Sequence, residues 1–304
     1  MTDAKEHRQA QAGAWASVLV NLVLTVGKGA IGILAGSRAL VADAIHSAAD
    51  LAGSVAVIVG LMVARKPPDR DHPYGHGKAE LISSFIVAGL LAAAGLDVAA
   101  GAVGALFRPA EQPRASAAWA AAVAVVIKEV MFQYNYRLGR RLRSRSLMAS
   151  AMDHRSDVFS SLAALVGILM ARAGAAWGMP WMLHMDAVAS LVVALLILKM
   201  GYEVATDAVH VLMDRVVEGE AIKPYESVIL SVPGVEHIDE LRVRDHGRYV
   251  VIDAKISVDA HMSVAEGHGI AAEVKERLIT RQPRVLDVLV HVNPCYPDEE
   301  EGGR

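Results

Sequence analysis

The sequence predicts a two-part protein: an all-α domain of six transmembrane helices, then a small α+β domain of order αββαβ, ferredoxin-like in kind, with helices on one face of a single sheet. Three observations predict it. The chain has 304 residues, 54% hydrophobic, with a mean hydropathy of +0.35, above the roughly 45–50% apolar content of soluble domains. The apolar excess is confined to residues 1–209, while residues 210–304 read as an ordinary charged domain. Charge divides at the same place, net +4 over residues 1–208 and net −7 over residues 209–304. A single soluble domain is excluded, and a nucleic-acid binder lacks the basic face it would need. With Cys295 alone, neither a disulfide framework nor a cysteine zinc site is available.

Crossing a bilayer takes about 20 apolar residues. Six runs qualify, at about 13–35, 39–64, 81–106, 115–137, 150–173 and 181–206. Asp3, Lys5, Glu6 and Arg8 precede the first run, which is too long for a signal-peptide core and is expected to be retained. Pro109, Pro113 and Pro180 fall in connections, where helix breakers belong. Arg65, Lys66, Arg70 and Lys78 separate spans two and three, and Arg137, Arg140, Arg141, Arg143 and Arg145 separate spans four and five. The opposite loops carry only Arg38, then Arg108 and Arg114, then Arg172. The positive-inside rule therefore places both termini in the cytoplasm of a multi-pass protein in a lipid bilayer, and the absence of targeting signals fits a cell inner membrane.

Past residue 215 the period changes. Glu220 to Leu230 reads as a helix. Residues 236–245 and 248–258 read as strands around a turn at Asp245, His246, Gly247 and Arg248. Val250, Ile252, Ala254, Ile256 and Val258 alternate with Asp253, Lys255 and Ser257, which sets one buried face. Val264, Ala271, Val274 and Leu278 recur at helical spacing, and Val288, Val290 and Val292 close with a strand. The acidic end, Glu299 to Glu301, reads as a solvated tail. The domains expected are 1–209 for the membrane and 210–304 for the cytoplasm, the latter a dimerisation or regulatory module.

Ionisable groups inside spans are costly unless paired or hydrated, so each one is a functional candidate. Span two carries Asp43, His46 and Asp50, and span five carries Asp153, His154 and Asp157. His46/Asp50 and Asp153/Asp157 stand four apart, so each pair shares a helix face, and two facing pairs make a four-ligand cage. The spans also repeat each other. Aligned without gaps from His46 on Asp153, Asp50, Ser54, Ala56, Val59 and Gly60 meet Asp157, Ser161, Ala163, Val166 and Gly167. Paired repeats with a midplane site are a transporter design, and Gly53, Ser54, Ser160 and Ser161 are small enough for close helix approach. One imidazole with three carboxylates suits a divalent first-row ion, and zinc, iron(II) and manganese(II) all stay open. The other polar residues have plainer roles. Asp43 is expected to cap its span or line an outer vestibule, and His154 to face away at the cytoplasmic boundary. Asn21 and Lys28 bond across helices or snorkel. Asp97, Lys128, Glu129 and Asp186 are structural pairs or boundary residues.

These features, with the segments Ala42 to Asp50, His72 to Glu80, Asp153 to Asp157 and His291 to Pro294, resemble the cation diffusion facilitator family of metal/proton antiporters. The resemblance covers nearly the whole chain. It implies a homodimer that exports a divalent cation by alternating access as protons enter, with no organic cofactor and no enzymatic activity. The family's transport site falls on His46, Asp50, Asp153 and Asp157. Many zinc-selective members have His at the position of Asp153, so this chain admits iron or manganese. A loop site falls on Asp69, His72 and His76, and a charge interlock across the dimer on Lys78 and Asp214. In the tail the family's ligand positions are Asp239, Lys255, His268, His291 and Asn293 here. Charged Lys255 and weak Asn293 leave a single site using Asp239, His268 or His291, with His237 or His246 as further candidates. The rival functions are a non-transporting metal sensor or partner subunit, and an intramembrane metallohydrolase, for which no H-E-x-x-H is present.

Overall fold

The computed structural model describes residues 2–109, 111–142, 145–217, 219–247 and 249–296. Arg143, Arg248 and the acidic Glu299 to Glu301 lie outside the described residues. The helices are α1 (Thr2–Ala35), α2 (Arg38–Ala64), α3 (Ala79–Leu106), α4 (Ala115–Leu142), α5 (Arg145–Trp177), the short α6 (Pro180–Leu183), α7 (Met185–Leu212), α8 (Lys223–Leu230) and α9 (Val264–Arg281). The strands are β1 (His237–Asp245), β2 (Val250–Asp259) and β3 (Val285–Cys295). Six helices among the described residues are long and apolar enough to span a membrane, as the apolar runs predict. The chain divides into two compact units, residues 1–56 with 86–205, and residues 57–85 with 206–304.

In the first unit the core is rich in alanine. Ala35, Ala39, Leu40, Ala117, Ala121, Ala164, Ile168 and Ala189 form one buried cluster. Ala42, Ala49, Val87, Leu91, Val193 and Ile197 form another. Many large apolar side chains point out instead, among them Leu19, Val26, Ile33, Leu90, Val126 and Leu195. Lipid is as apolar as leucine, so helix association there rests on close backbone approach rather than on burying large side chains. Gly167 shows this: a Cβ there would fall 2.2 Å from the Ala189 Cβ on α7. The start of α2 is held from α7. The Asp186 carboxylate accepts from the Ser37 hydroxyl at 2.6 Å and from the Arg38 backbone N–H at 2.7 Å, and the Ser37 hydroxyl accepts from the Leu40 N–H. This satisfies backbone donors that a helix start leaves open.

In the second unit β1 pairs antiparallel with β2, and β2 parallel with β3, giving the order β1-β2-β3. The β2–β3 crossover runs through α9, as parallel neighbours require. Val250, Ile252, Ala254, Ile256 and Val258 are all buried, with Tyr225, Val228 and Ile229 from α8 and Val274 and Leu278 from α9. The alternation in β2 thus does set the core face. α9 begins with a capping box, in which the Ser263 hydroxyl accepts from the Glu266 N–H and the Glu266 carboxylate from the Ser263 N–H. Gly60, the repeat partner of Gly167, makes an equivalent close approach in this unit: a Cβ would fall 2.7 Å from the Glu80 Cα.

Candidate metal centre

On α2, Asp43, His46, Ser47 and Asp50 stand at i, i+3, i+4 and i+7, one continuous stripe. On α5, Asp157, Ser160 and Ser161 face them. One ligand atom each from His46, Asp50 and Asp157 lies within 4.8 Å of the other two, and His46 Nε2 is 3.9 Å from Asp157 Oδ1. His46 and Asp157 are buried and Asp50 half-buried. Asp50 Oδ2 and His46 Nδ1 have no hydrogen-bond partner. Three of the four expected ligands therefore meet. Asp153, one turn back on α5, is exposed and adds no atom to this group.

The second oxygen of Asp157 is taken by a cation. Lys128, fully buried on α4, places its ammonium on Asp157 Oδ2 and donates to Asn21 Oδ1 on α1 at 2.7 Å. His154 was expected at the boundary. It is instead buried, with Nδ1 3.9 Å from the same oxygen and both ring nitrogens without a hydrogen bond. The reason is helical: His154 stands three residues before Asp157 and Asp153 four, so both neighbour it, and the rotation of α5 turns His154 inward.

Asp43 also departs from its expected capping or vestibule role. It is 0% exposed. Oδ2 accepts from Lys28 Nζ at 2.8 Å and from the Ser161 hydroxyl at 2.7 Å, and Oδ1 accepts from Ser160 at 2.9 Å. Lys28 Nζ also donates to the Ser47 hydroxyl and the Asp43 carbonyl. A burial this complete needs such full pairing. The i, i+3, i+7 spacing of Asp43, His46 and Asp50 was the signal that could have placed it on the inner stripe.

In the second unit Asp69, His72 and His76 bring ligand atoms within 4.8 Å of one another. His72 Nδ1 is 3.3 Å from Asp69 Oδ1, and His76 Nε2 is 3.5 Å from Oδ2. Asp69 Oδ1 accepts from the backbone N–H groups of Asp71 and His72, a turn held by the side chain. The His72 N–H is the main reason its carboxyl sits below the usual range, so the acid stays available as an anion. The segment is tied to the tail: the Tyr249 hydroxyl donates to the Tyr74 carbonyl and accepts from the Gly77 N–H. Lys78 Nζ meets Asp214 Oδ1 at 2.7 Å and the Leu212 carbonyl at 3.3 Å. The two residues of the expected interlock thus meet within this chain, with Asp214 at φ 60° just after α7.

The tail residues do not gather in the same way. Asp239 accepts from Ser257, from Asn293 at 2.7 Å and from His237 at 2.9 Å. Burial alone would raise its carboxyl, but these donors outweigh it and hold it low. Lys255 pairs with Glu240 at 2.6 Å. His268 on α9 and His291 on β3 are exposed, and among the described residues neither joins Asp239 in a group of three ligands.

Six apolar helices with a polar centre of imidazole and carboxylates define a multi-pass membrane protein built to handle a cation. Residues 14–213 match the cation efflux transmembrane domain and residues 217–295 the cation efflux protein cytoplasmic domain. The chain belongs to this cation efflux (cation diffusion facilitator) family, whose members are metal transporters and not enzymes. It is 38% identical over 282 residues to the manganese efflux system protein MneP of Bacillus subtilis (strain 168), covering 93% of this chain and 95% of that one. The manganese efflux system protein MneS of the same organism is 34% identical over 291 residues, covering 95% and 97%. A solved MamM-CTD chain is 26% identical with a TM-score of 0.24, covering 25% of this chain and 98% of that one.

Proposed function

We propose that the chain exports manganese(II) from the cytoplasm in exchange for protons, by alternating access, as an inner-membrane homodimer with both termini in the cytoplasm. The observation that carries this reading is the convergence of His46, Asp50 and Asp157 within the spanning helices. Asp153, on the same helix as Asp157, is the fourth ligand and joins when the ion enters. Three carboxylates and one imidazole make an oxygen-rich set, which suits manganese better than the softer sites that select other ions. The manganese efflux names of two relatives that align over nearly the whole chain support the same choice.

Ligands must be deprotonated to bind, so loading releases protons. Protons arriving from outside then compete for His46 and the carboxylates and expel the ion. Asp69, His72 and His76 hold an ion of the same class at the cytoplasmic loop. Efflux of Mn²⁺, Zn²⁺ and Fe²⁺ in proteoliposomes tests the reading. Asp50→Ala and Asp157→Ala abolish Mn²⁺ flux, collapse of the pH gradient stops it, and Asp153→His shifts preference toward zinc. Normal flux in either alanine variant refutes the site, and flux indifferent to the gradient refutes the antiport.

A further inference from the structure

Lys128 is the one fully buried cation in direct contact with a transport-site carboxylate among the described residues. A structural lysine needs a partner, but not this one. Asp157 divides its two oxygens, with Oδ1 facing His46 Nε2 and the ligand group, and Oδ2 facing Lys128. The ammonium is braced from behind by Asn21 Oδ1 at 2.7 Å. An ion bound through Oδ1 would sit within roughly 7 Å of that ammonium, the sum of the two contacts and the width of one carboxylate. In a buried site a fixed positive charge at that range opposes a dication strongly.

We propose that Lys128 is the resident counter-cation of the transport site. It holds Asp157 in place while the site is empty, keeps Oδ2 from the metal, and by its charge caps how tightly the dication is gripped, so that the ion can leave. It is a positioning residue, acting on the metal through Asp157. This rests on the transport-site reading above.

Two consequences point the same way. Without the ammonium, Asp157 is free to offer both oxygens to the ion, and the empty site carries a buried carboxylate without its cation. Both tighten metal binding. A purely structural lysine predicts the reverse, weaker binding in a loosened site.

The test is Mn²⁺ titration of the purified full-length chain by calorimetry, with Mn²⁺ efflux in proteoliposomes measured in parallel. Lys128→Gln lowers the Mn²⁺ dissociation constant by about tenfold or more. It lowers the KM for efflux and cuts the maximal rate, because release becomes slow. Lys128→Met, which fills the space of the aliphatic stem, reads the same effect if the glutamine variant folds poorly. Lys128→Arg returns the dissociation constant and the rate most of the way to the wild-type values. Unchanged or weaker binding in the neutral variants overturns the proposal, as does an arginine variant that behaves like them. Asp157→Asn reports on the site itself. If it binds Mn²⁺ normally, the site assignment falls and this proposal with it. If it loses binding while Lys128→Gln binds as before, only the role of Lys128 falls.

Discussion

Asp43→Ala tests whether the buried Lys28–Asp43 pair between α1 and α2 contributes more to stability than the Ser160 and Ser161 hydrogen bonds that bring α5 to it. Both charged side chains are nearly inaccessible, 2% and 0% exposed. Interhelical hydrogen bonds in membrane proteins average only about 0.6 kcal/mol, so Ser160→Ala and Ser161→Ala should each cost less than about 1 kcal/mol. Removing the carboxylate leaves the Lys28 ammonium with the Ser47 hydroxyl and a backbone carbonyl, neither of which cancels its charge. A broken buried pair costs about 3–5 kcal/mol, several times either serine. Lys28→Met should cost a similar amount for the opposite reason. The double variant Lys28→Met/Asp43→Leu removes both charges and should recover most of the loss, since apolar replacements of buried pairs are often neutral. The assay is thermal unfolding of the purified chain in one detergent for all five variants. If the double variant falls by the sum of the two single losses, or if the serine variants fall as far as Asp43→Ala, the charge pair is not the main stabilising contact of this cluster.

Gly167→Leu should cost about 1–3 kcal/mol by overpacking α5 against α7, because even a Cβ would stand 2.2 Å from Ala189. Gly27→Ala, where a Cβ meets nothing within 4 Å, should leave the melting midpoint unchanged. The second unit should lose stability on acidification. Hydrogen bonding from Lys78 holds the Asp214 carboxyl below its usual range, and burial, with the Lys78 charge, holds the His246 imidazole below its usual 6.5. Both groups bind protons more readily unfolded than folded, so stability rises with pH across the interval between the two values. The His246 contribution, complete above about pH 6.5, is lost first as pH falls, and the Asp214 contribution follows as pH drops through the carboxylate range. Melting midpoints across pH 4 to 8 should lose the upper part of this slope in His246→Gln and the lower part in Asp214→Asn; unchanged slopes would contradict the assignment.

Much of the fold was legible because lipid imposes strict rules. Six apolar runs became six long helices, and the alternation in β2 became the buried face of the sheet. His46, Asp50 and Asp157 were legible from helical spacing. That Lys28 or Lys128 could pair with carboxylates in these spans was legible as well, but which lysine meets which acid was not. Lys128 lies 29 residues from Asp157 on another helix, and its choice of partner depends on how α4 is rotated, which a mostly apolar span leaves unspecified. Asp153 and His154 illustrate the same limit. Both are helical neighbours of Asp157, and only the rotation of α5 decides which one turns inward. Asp43 was read from its nearness to the start of the span, whereas its place seven residues before Asp50 was the better guide. In the tail the strands were plain, but the three-donor environment of Asp239 arises from cross-strand neighbours that local spacing does not reveal.

The alanine-lined interfaces of the first unit have a mechanical consequence. A methyl group has no rotamers to reset, so helices meeting through Ala39, Ala117, Ala121, Ala164 and Ala189 share a smooth surface instead of interlocked teeth. Sliding one past another there repacks only the two larger members of the cluster, Leu40 and Ile168. Resistance to shear in such a bundle therefore falls on its few larger buried side chains and on its ionic contacts, so making or breaking one of those contacts changes how readily the helices glide.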